Sequence, residues 1–432
     1  MKILCTSQIG SSTALGQTMR VTAIAKALQR RGAQVKYLAG GKLIPVIQSQ
    51  GIEIIPLPSM PEIELFPDSE QMKDQHYQEE IRAKFVTGLQ LSQSSEKEAL
   101  SAERPDLMLC GSPLSMLTAK EAHIPCVLTI LQPHGKKTQE YFMKKMQDRA
   151  KAHDFFADLV PGGDSNKSYG DLETASLIFV EGMPEISGDT DFDKIGYNFT
   201  EPGEWIQKIK PKIRFTGPLL AESPEKLPSQ EELKIRYTGH QDQPLVYVTI
   251  GGGTNLIGEK FLSLVLEAFR LLPEVKGVVS TGLAISEEQI AGALPGGDYP
   301  PDNVIIRQFV PGTELIKASD AVVFHGGSST LMTCIACGRP AVVVPSMAEQ
   351  EDNGMVLSHY KAGIVLDKQS LTPEILTIAI RRILENASFR HQAEELKKLS
   401  EKYGGADGAA IMMEQLLEER SLVHAGTDSG SR

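Results

Sequence analysis

Short apolar runs alternate with helical periodicity along most of the chain. Residues 2–6 form the first apolar run, and residues 19–31 carry Val21, Ile24, Ala25 and Leu28 on one helical face before Gly32 ends the pattern. Further strand-like runs at 35–39, 52–57, 106–110 and 126–131 are separated by helical stretches at 78–103 and 113–123. This alternation predicts a parallel sheet covered by helices on both faces. The acidic, proline-bearing segment 56–74 interrupts it and reads as a long loop over a functional edge.

A run at 176–180 precedes a stretch rich in Gly, Asp and Pro that ends at 213–219. Residues 221–243 are polar and contain prolines, a linker composition. A second alternating series follows, with strands predicted at 245–250, 277–280, 304–309, 321–324, 341–344 and 364–366, and helices at 371–384 and 389–403. The expected fold class is α/β. A doubly wound domain spans 1–220, a linker 221–243 and a second doubly wound domain 244–404; a helix at 405–420 is able to cross back to the first domain, and 421–432 is a disordered tail. Two such domains place a ligand between them, at the carboxyl ends of their strands.

Composition narrows the function classes. A single core stops growing near ~250 to 300 residues, so the 432 residues agree with more than one domain. A formal charge of -11 argues against a sequence-independent nucleic-acid binder, which needs basic surface to displace counterions from phosphates. The start, MKILCTSQIG, has neither a basic region nor a cleavage site and reads as a strand rather than a signal peptide. No apolar segment approaches the ~18 to 20 residues of a membrane span, so the expected location is the cytoplasm. The five cysteines, Cys5, Cys110, Cys126, Cys334 and Cys337, stand mostly in apolar contexts and suit buried reduced thiols.

The chemistry concentrates in residues 322–350, VVFHGGSSTLMTCIACGRPAVVVPSMAEQ. At His325, Gly326, Gly327, Ser328, Ser329 and Thr330 a strand ends and a helix begins. The glycines let the backbone approach an anion, the hydroxyls and first-turn amides donate to it, and the helix dipole favours negative charge. His325 can add a hydrogen bond to a phosphate oxygen, worth ~1.5 to 3 kcal/mol with a charged partner. A helix simply capped by Ser328 or Ser329 is the alternative. Beyond the next apolar strand, Glu349 and Gln350 set a carboxylate and an amide where they can receive the hydroxyls of a sugar attached to the cradled phosphates.

The order H-G-G-x-x-T, then G-x-P, then P-x-x-x-E-Q-x-x-N resembles the donor-binding signature of nucleotide-sugar-dependent glycosyltransferases of the macrolide and UDP-glycosyltransferase superfamily. Thr216-Gly217-Pro218-Leu219 resembles the end of that family's first domain, and LVYVTIGGGT at 245–254 the opening of its second. Gln308-Phe309-Val310-Pro311, followed by Leu315 and Ala318-Ser319-Asp320, resembles the segment that holds the nucleobase. The resemblance implies a GT-B fold, two Rossmann-like domains facing across a cleft, with inversion at the anomeric carbon and no required metal. Carried over, His325 would touch the diphosphate, Ser328, Ser329 and Thr330 with Gly327 would form its cradle, and Glu349 and Gln350 would bind the sugar. Gly252, Gly253 and Thr254 would line the donor cleft, and Phe309 and Val310 would border the base.

Three positions depart from that pattern. Thr333 stands where the family usually has a ribose-binding glutamate. A carboxylate takes two hydroxyl donors, whereas a threonine offers one modest partner, which weakens the case for a ribonucleotide and raises that for a dTDP-sugar; a UDP-sugar stays the expected donor and a dTDP-sugar its competitor. Gln17, in Gly16-Gln17-Thr18-Met19-Arg20, stands where many relatives have the histidine that deprotonates the acceptor. An amide can orient an acceptor but not take its proton, a role worth ~10² to 10⁴ in rate. The aspartate often found after the fourth strand is also missing, since Leu109-Cys110-Gly111-Ser112-Pro113 has no carboxylate. His134, after the run 126–131, is the substitute candidate; a solvent-exposed loop histidine before Gly135-Lys136-Lys137 is the alternative.

The expected function is therefore a metal-independent, inverting transfer of a hexose from the nucleotide-sugar to a small, apolar acceptor, with no cofactor beyond the donor. Sugar, acceptor and oligomeric state stay open. The loss at Gln17 and near Cys110 motivates two competing readings, a non-catalytic nucleotide-sugar-binding helper and an epimerase or hydrolase of the same fold. Asp189, Asp191 and Asp193 spell an acidic triplet but lack a preceding strand to present them to a metal. Cys334 and Cys337 fall at small-residue positions of the donor helix and read as packing, and the nine histidines show no zinc spacing.

Overall fold

The computed structural model describes residues 1–7, 15–41, 43–61, 74–132, 135, 171–187, 204–249, 259–282, 300–308 and 310–428. Their strands fall into two sheets. The first holds β1 (Lys2–Thr6), β2 (Gln34–Ala39), β3 (Glu53–Pro56), β4 (Leu107–Cys110), β5 (Cys126–Leu131), β6 (Leu177–Glu181) and β7 (Ile213–Gly217), in the order β3-β2-β1-β4-β5-β6-β7. The second holds β8 (Leu245–Thr249), β9 (Lys276–Ser280), β10 (Val304–Arg307), β11 (Ala321–Phe324), β12 (Ala341–Val343) and β13 (Gly363–Val365), in the order β10-β9-β8-β11-β12-β13. Every named pair is parallel.

Each order reverses once, between β1 and β4 and between β8 and β11. There Thr6 lies beside Cys110, and Thr249 beside Phe324. Connections leave such a reversal towards opposite faces, so a crevice opens beyond the carboxyl ends of its strands. The flanking strands β4, β8 and β11 are buried along their whole length. Burial on both faces removes any in-out alternation, which is why they read as continuous apolar runs. Strand boundaries agree with that reading to within one or two residues, and the α/β, doubly wound expectation holds for both sheets.

Several segments tie the halves together. Beyond β6, Met183 and Ile186 are buried with Leu233, Tyr247, Phe324 and Leu331 of the second half. The hydroxyl of Tyr360 donates to the Glu185 carbonyl at 2.7 Å, and that of Tyr403 to the Glu185 carboxylate. The helix Gly405–Asp428 returns to the first sheet, where Ala406, Ala409, Ala410 and Met413 bury against Val21, Ile24 and Leu28 of the helix Leu15–Arg30. Alanines let the two helices approach closely enough to interlock. Ion pairs Arg30–Asp407 and Arg31–Glu414, both 2.6 Å, stand at the exposed rim.

Two expectations are corrected. Residues 221–243 are not a bare linker. They contain the helix Gln230–Thr238, started by a capping box between Ser229 and Glu232 and anchored by the buried Leu233 and by Lys234, 2.8 Å from Asp320. The return helix does not stop near 420 to leave a disordered tail. It continues to Asp428, because residues 421–425 contain neither Gly nor Pro and the Ser421 hydroxyl donates to the Leu417 carbonyl at 2.9 Å. The predicted edge loop lies mostly outside the described residues; the helix Gln75–Glu103 follows it, with the Asp74 carboxylate accepting from the His76 amide.

The return helix should contribute measurably to stability. Met413 is fully buried, and Met413→Ala is expected to cost ~2 to 4 kcal/mol in urea denaturation through lost contacts and a residual cavity.

Candidate functional site

Where β11 ends, His325, Gly326 and Gly327 turn the chain into the helix Ser328–Cys337. Gly326 has φ +92°, and a Cβ there would lie 2.5 Å from the Gln350 carbonyl oxygen, so glycine is required on both counts. The Gly326 carbonyl accepts from Asn353 Nδ2 at 2.8 Å. The turn is thus pinned against the helix Ala348–His359. Gly327 is the N-cap residue, and no side chain caps the helix start. Ser328, Ser329 and Thr330 therefore occupy a first turn whose amides lack a side-chain partner, and the alternative of a serine cap fails.

A Cβ on Gly327 would meet His325 Nε2 at 2.6 Å, which places the imidazole against the turn. Its Nδ1 is buried without a hydrogen-bond partner. Burial lowers the His325 pKa from 6.5 to about 4, so the ring is neutral at pH 7. An unpaired buried nitrogen costs ~1 to 3 kcal/mol, and an anion near the ring would favour its protonated form and raise the depressed pKa.

Other expected donor residues are arranged less simply. The Thr333 hydroxyl donates to the Ser329 carbonyl at 2.8 Å, back into its own helix. Gln350 is buried, and its side-chain oxygen accepts from the Ser346 amide at 2.8 Å, which spends that oxygen on the loop before the helix. Glu349, in the first turn of Ala348–His359, is half-buried. Val310 packs against the core of the second half. Gly252, Gly253, Thr254, Phe309 and His134 lie outside the described residues, as do Asp189, Asp191 and Asp193.

Gln17 lies in the first turn of Leu15–Arg30, at the other reversal. A Cβ on Gly111 would sit 2.7 Å from Gln17 Cγ and 3.2 Å from Ser7 Cβ, so the amide side chain lies across the end of β4. Behind it runs a hydroxyl chain: Tyr37 donates to Ser7 at 2.7 Å, and Ser7 and Thr18 share a 2.8 Å bond. Glu96, in Gln75–Glu103, is buried and accepts from Ser115 and Thr118 at 2.6 Å each; burial raises its carboxyl above the ordinary range. The sequence reading missed Glu96. Its signal was a polar pair, Ser92 and Glu96, on the helical stripe that also buries Ala99 and Leu100.

The two reversals face each other. A Cβ on Gly16 would lie 3.2 Å from Ser329 Oγ, and one on Gly135 2.6 Å from Asp352 Cγ. The starts of Leu15–Arg30 and Ser328–Cys337 therefore meet across one cleft. Among the described residues no group of three or more His, Cys, Asp or Glu is placed to hold a metal ion, and no helix is long and apolar enough to cross a membrane. All five cysteines are free and buried, Cys334 and Cys337 in the core beneath the cradle.

The environment of His325 has a pH signature. The unfolded chain binds a proton near 6.5 and the folded one near 4, so His325 contributes stability that is complete above 6.5 and lost as pH falls through about 4. NMR of the imidazole should show this low titration, and added UDP should raise it. His325→Ala should weaken UDP binding ~10-fold or more in calorimetry, as loss of one charge-assisted hydrogen bond requires.

Comparison with known proteins gives the site a family. The family described as erythromycin biosynthesis protein CIII-like, C-terminal domain, matches residues 287–402. The NDP-glycosyltransferase YjiC of Bacillus subtilis (strain 168) is 28% identical over 208 residues, 48% of this chain and 49% of that one, so this match spans about half the length of each. An uncharacterized glycosyltransferase of Methanosarcina acetivorans is 26% identical over 94% of this chain and 96% of its own. The crystal structure of glycosyltransferase VinC in complex with dTDP superposes with a TM-score of 0.63 at 19% identity, covering 97% of this chain and 100% of that one. The segment that holds the cradle thus matches the erythromycin CIII-like C-terminal domain, and the chain as a whole has the two-domain GT-B architecture of these glycosyltransferases.

Proposed function

We propose that this glycosyltransferase moves a hexose from a nucleoside-diphosphate sugar to the hydroxyl of a small, apolar acceptor, with inversion and without a metal. The reading rests on the uncapped start of Ser328–Cys337 with the Nε2 edge of the His325 imidazole against the turn, a combination suited to a diphosphate. The acceptor would enter from the first sheet and the diphosphate would be held by the second. Its oxygen attacks the anomeric carbon as the bond to the phosphate oxygen breaks; the electron pair stays on the diphosphate, and in-line displacement inverts the centre. First-turn amides, the hydroxyls of Ser328, Ser329 and Thr330, and His325 neutralise the leaving group, so catalysis is largely positioning and charge stabilisation. Glu349 accepts from sugar hydroxyls, and the Gln350 Nε2 donates to one. Gly252, Gly253 and Thr254 line the donor side, and Phe309 and Val310 border the base. Gln17 orients the acceptor, and His134 takes its proton.

A UDP-sugar is the first choice of donor. A dTDP-sugar is the second, supported by the Thr333 hydroxyl being spent on the Ser329 carbonyl and by the dTDP bound to VinC. A second reading, a non-catalytic nucleotide-sugar-binding helper, is favoured by Gln17 lying across a strand end that carries no carboxylate.

Nucleotide release from UDP-glucose and dTDP-glucose, with phenolic, lipid and polyketide acceptors, separates these readings: turnover supports transfer, and tight binding without turnover supports the helper. Thr333→Glu supplies a second acceptor oxygen for ribose and should shift the UDP-over-dTDP ratio of kcat/KM towards UDP by ~10-fold, the worth of about one hydrogen bond. His134→Ala should lower kcat by ~10² or more if His134 is the base; unchanged turnover removes it from the mechanism.

A further inference from the structure

A half-satisfied carboxylate lies at the carboxyl edge of the first sheet. Glu181 is the last residue of β6 and is 2% exposed. One of its oxygens accepts from the Leu219 amide at 3.2 Å. The other is buried without a hydrogen-bond partner, 3.6 Å from an Arg20 Nη1. Arg20 is buried too, and its Nε is likewise unpaired. At this separation the groups attract but make no hydrogen bond. Burial pushes the Glu181 carboxyl from 4.5 up to about 7, against the pull of Arg20 and of the Leu219 amide.

The pair joins elements whose relative placement sets the cleft. Arg20 follows Gln17 by three residues, about one turn of the same helix. β6 leads through Gly182 to Met183 and Ile186, which are buried in the other half's core. That exit is locked: the Gln132 side-chain oxygen accepts from the Met183 amide at 3.1 Å and would lie 2.2 Å from any Cβ at Gly182. Leu219 follows β7 and begins the passage to the second half. Stability alone is a weak reason for an imperfect buried ion pair, because apolar replacements are often as stable; fixing a register is its best-attested use.

We propose that Glu181 is a positioning residue: through Arg20 it holds the first turn of Leu15–Arg30, and with it Gly16 and Gln17, against the crossover at Leu219, so that this helix start stays opposed to Ser329. Among the described residues the groups around it are few. From the helix Leu15–Arg30 the facing charge is Arg20; the crossover offers the Leu219 amide and the loop after β5 the neutral Gln132. Asp407 and Glu414 on the return helix are engaged by Arg30 and Arg31. The proposal depends on the transferase reading only where kinetics are measured.

Glu181→Gln tests it by two independent readouts. Hydrogen exchange should quicken ~10-fold or more at residues 15–22 while 328–337 is unchanged, since a local opening is made easier without loss of the fold. In transfer assays kcat should fall ~10-fold or more while the donor KM stays within ~threefold, the split expected for an interaction outside the donor site. The wild-type enzyme should gain kcat as pH rises through about 7, as Glu181 ionises and engages Arg20, and the variant should lack that rise. Unchanged exchange at 15–22 overturns the proposal, as does quickening spread over both sheets, or altered exchange with wild-type kcat and pH profile. If the wild type transfers to no acceptor, exchange alone decides the matter and the transferase reading falls separately. Glu181→Asp, which keeps the charge but withdraws it by one methylene, should move each quantity the same way by less, and serves if the glutamine variant does not fold.

Discussion

A helix start that no side chain caps must find its hydrogen-bond partners elsewhere, and the second half of this protein is arranged around that need. The first-turn amides of Ser328–Cys337 open where the strand order reverses between β8 and β11. The turn before them is held by a glycine in the left-handed region whose neighbours leave no room for a side chain. The Gln350 carbonyl presses on Gly326 from one side and Asn353 grips its carbonyl from the other. The helix Ala348–His359 therefore fixes the turn before Ser328–Cys337. Preorganisation of this kind lets a site stabilise charge without reorganising when the charge appears.

The first half repeats the geometry with a different outcome. Its reversal also presents a helix start, but hydroxyls and an amide stand behind it: Ser7, Thr18 and Tyr37 in a chain, and Gln17 across the end of β4. Two carboxylates lie near that edge, Glu96 and Glu181, both buried and both with raised pKa values. Glu96 is satisfied by hydroxyls from neighbouring elements, whereas Glu181 keeps an unpaired oxygen beside an imperfectly paired arginine. The difference marks Glu96 as part of a closed polar network and sets Glu181 apart from it.

Much of the candidate site's backbone was legible because its constraints are local. His325, Gly326 and Gly327 follow a buried strand directly, and their types report a close backbone approach wherever they occur in that setting. The acidic-amide pair at Glu349 and Gln350 was legible as a position, but not in its bonding. That Gln350 spends its oxygen on Ser346, and Thr333 its hydroxyl on Ser329, depends on side-chain rotamers and on which partner lies within reach. Polar composition likewise misled at 221–243, where one buried leucine and a capping box suffice to order a helix.

The sequence by itself determined the two doubly wound sheets, their strand boundaries and the cradle, since burial periodicity and turn chemistry act over a few neighbouring residues. Tertiary structure alone decided that Gly16 meets Ser329, that Glu96 and Glu181 are buried in the first half, and that the last helix packs on the first sheet. Those contacts join residues far apart in the chain. No local pattern encodes them, because what brings them together is the packing of whole helices and sheets rather than the chemistry of adjacent side chains.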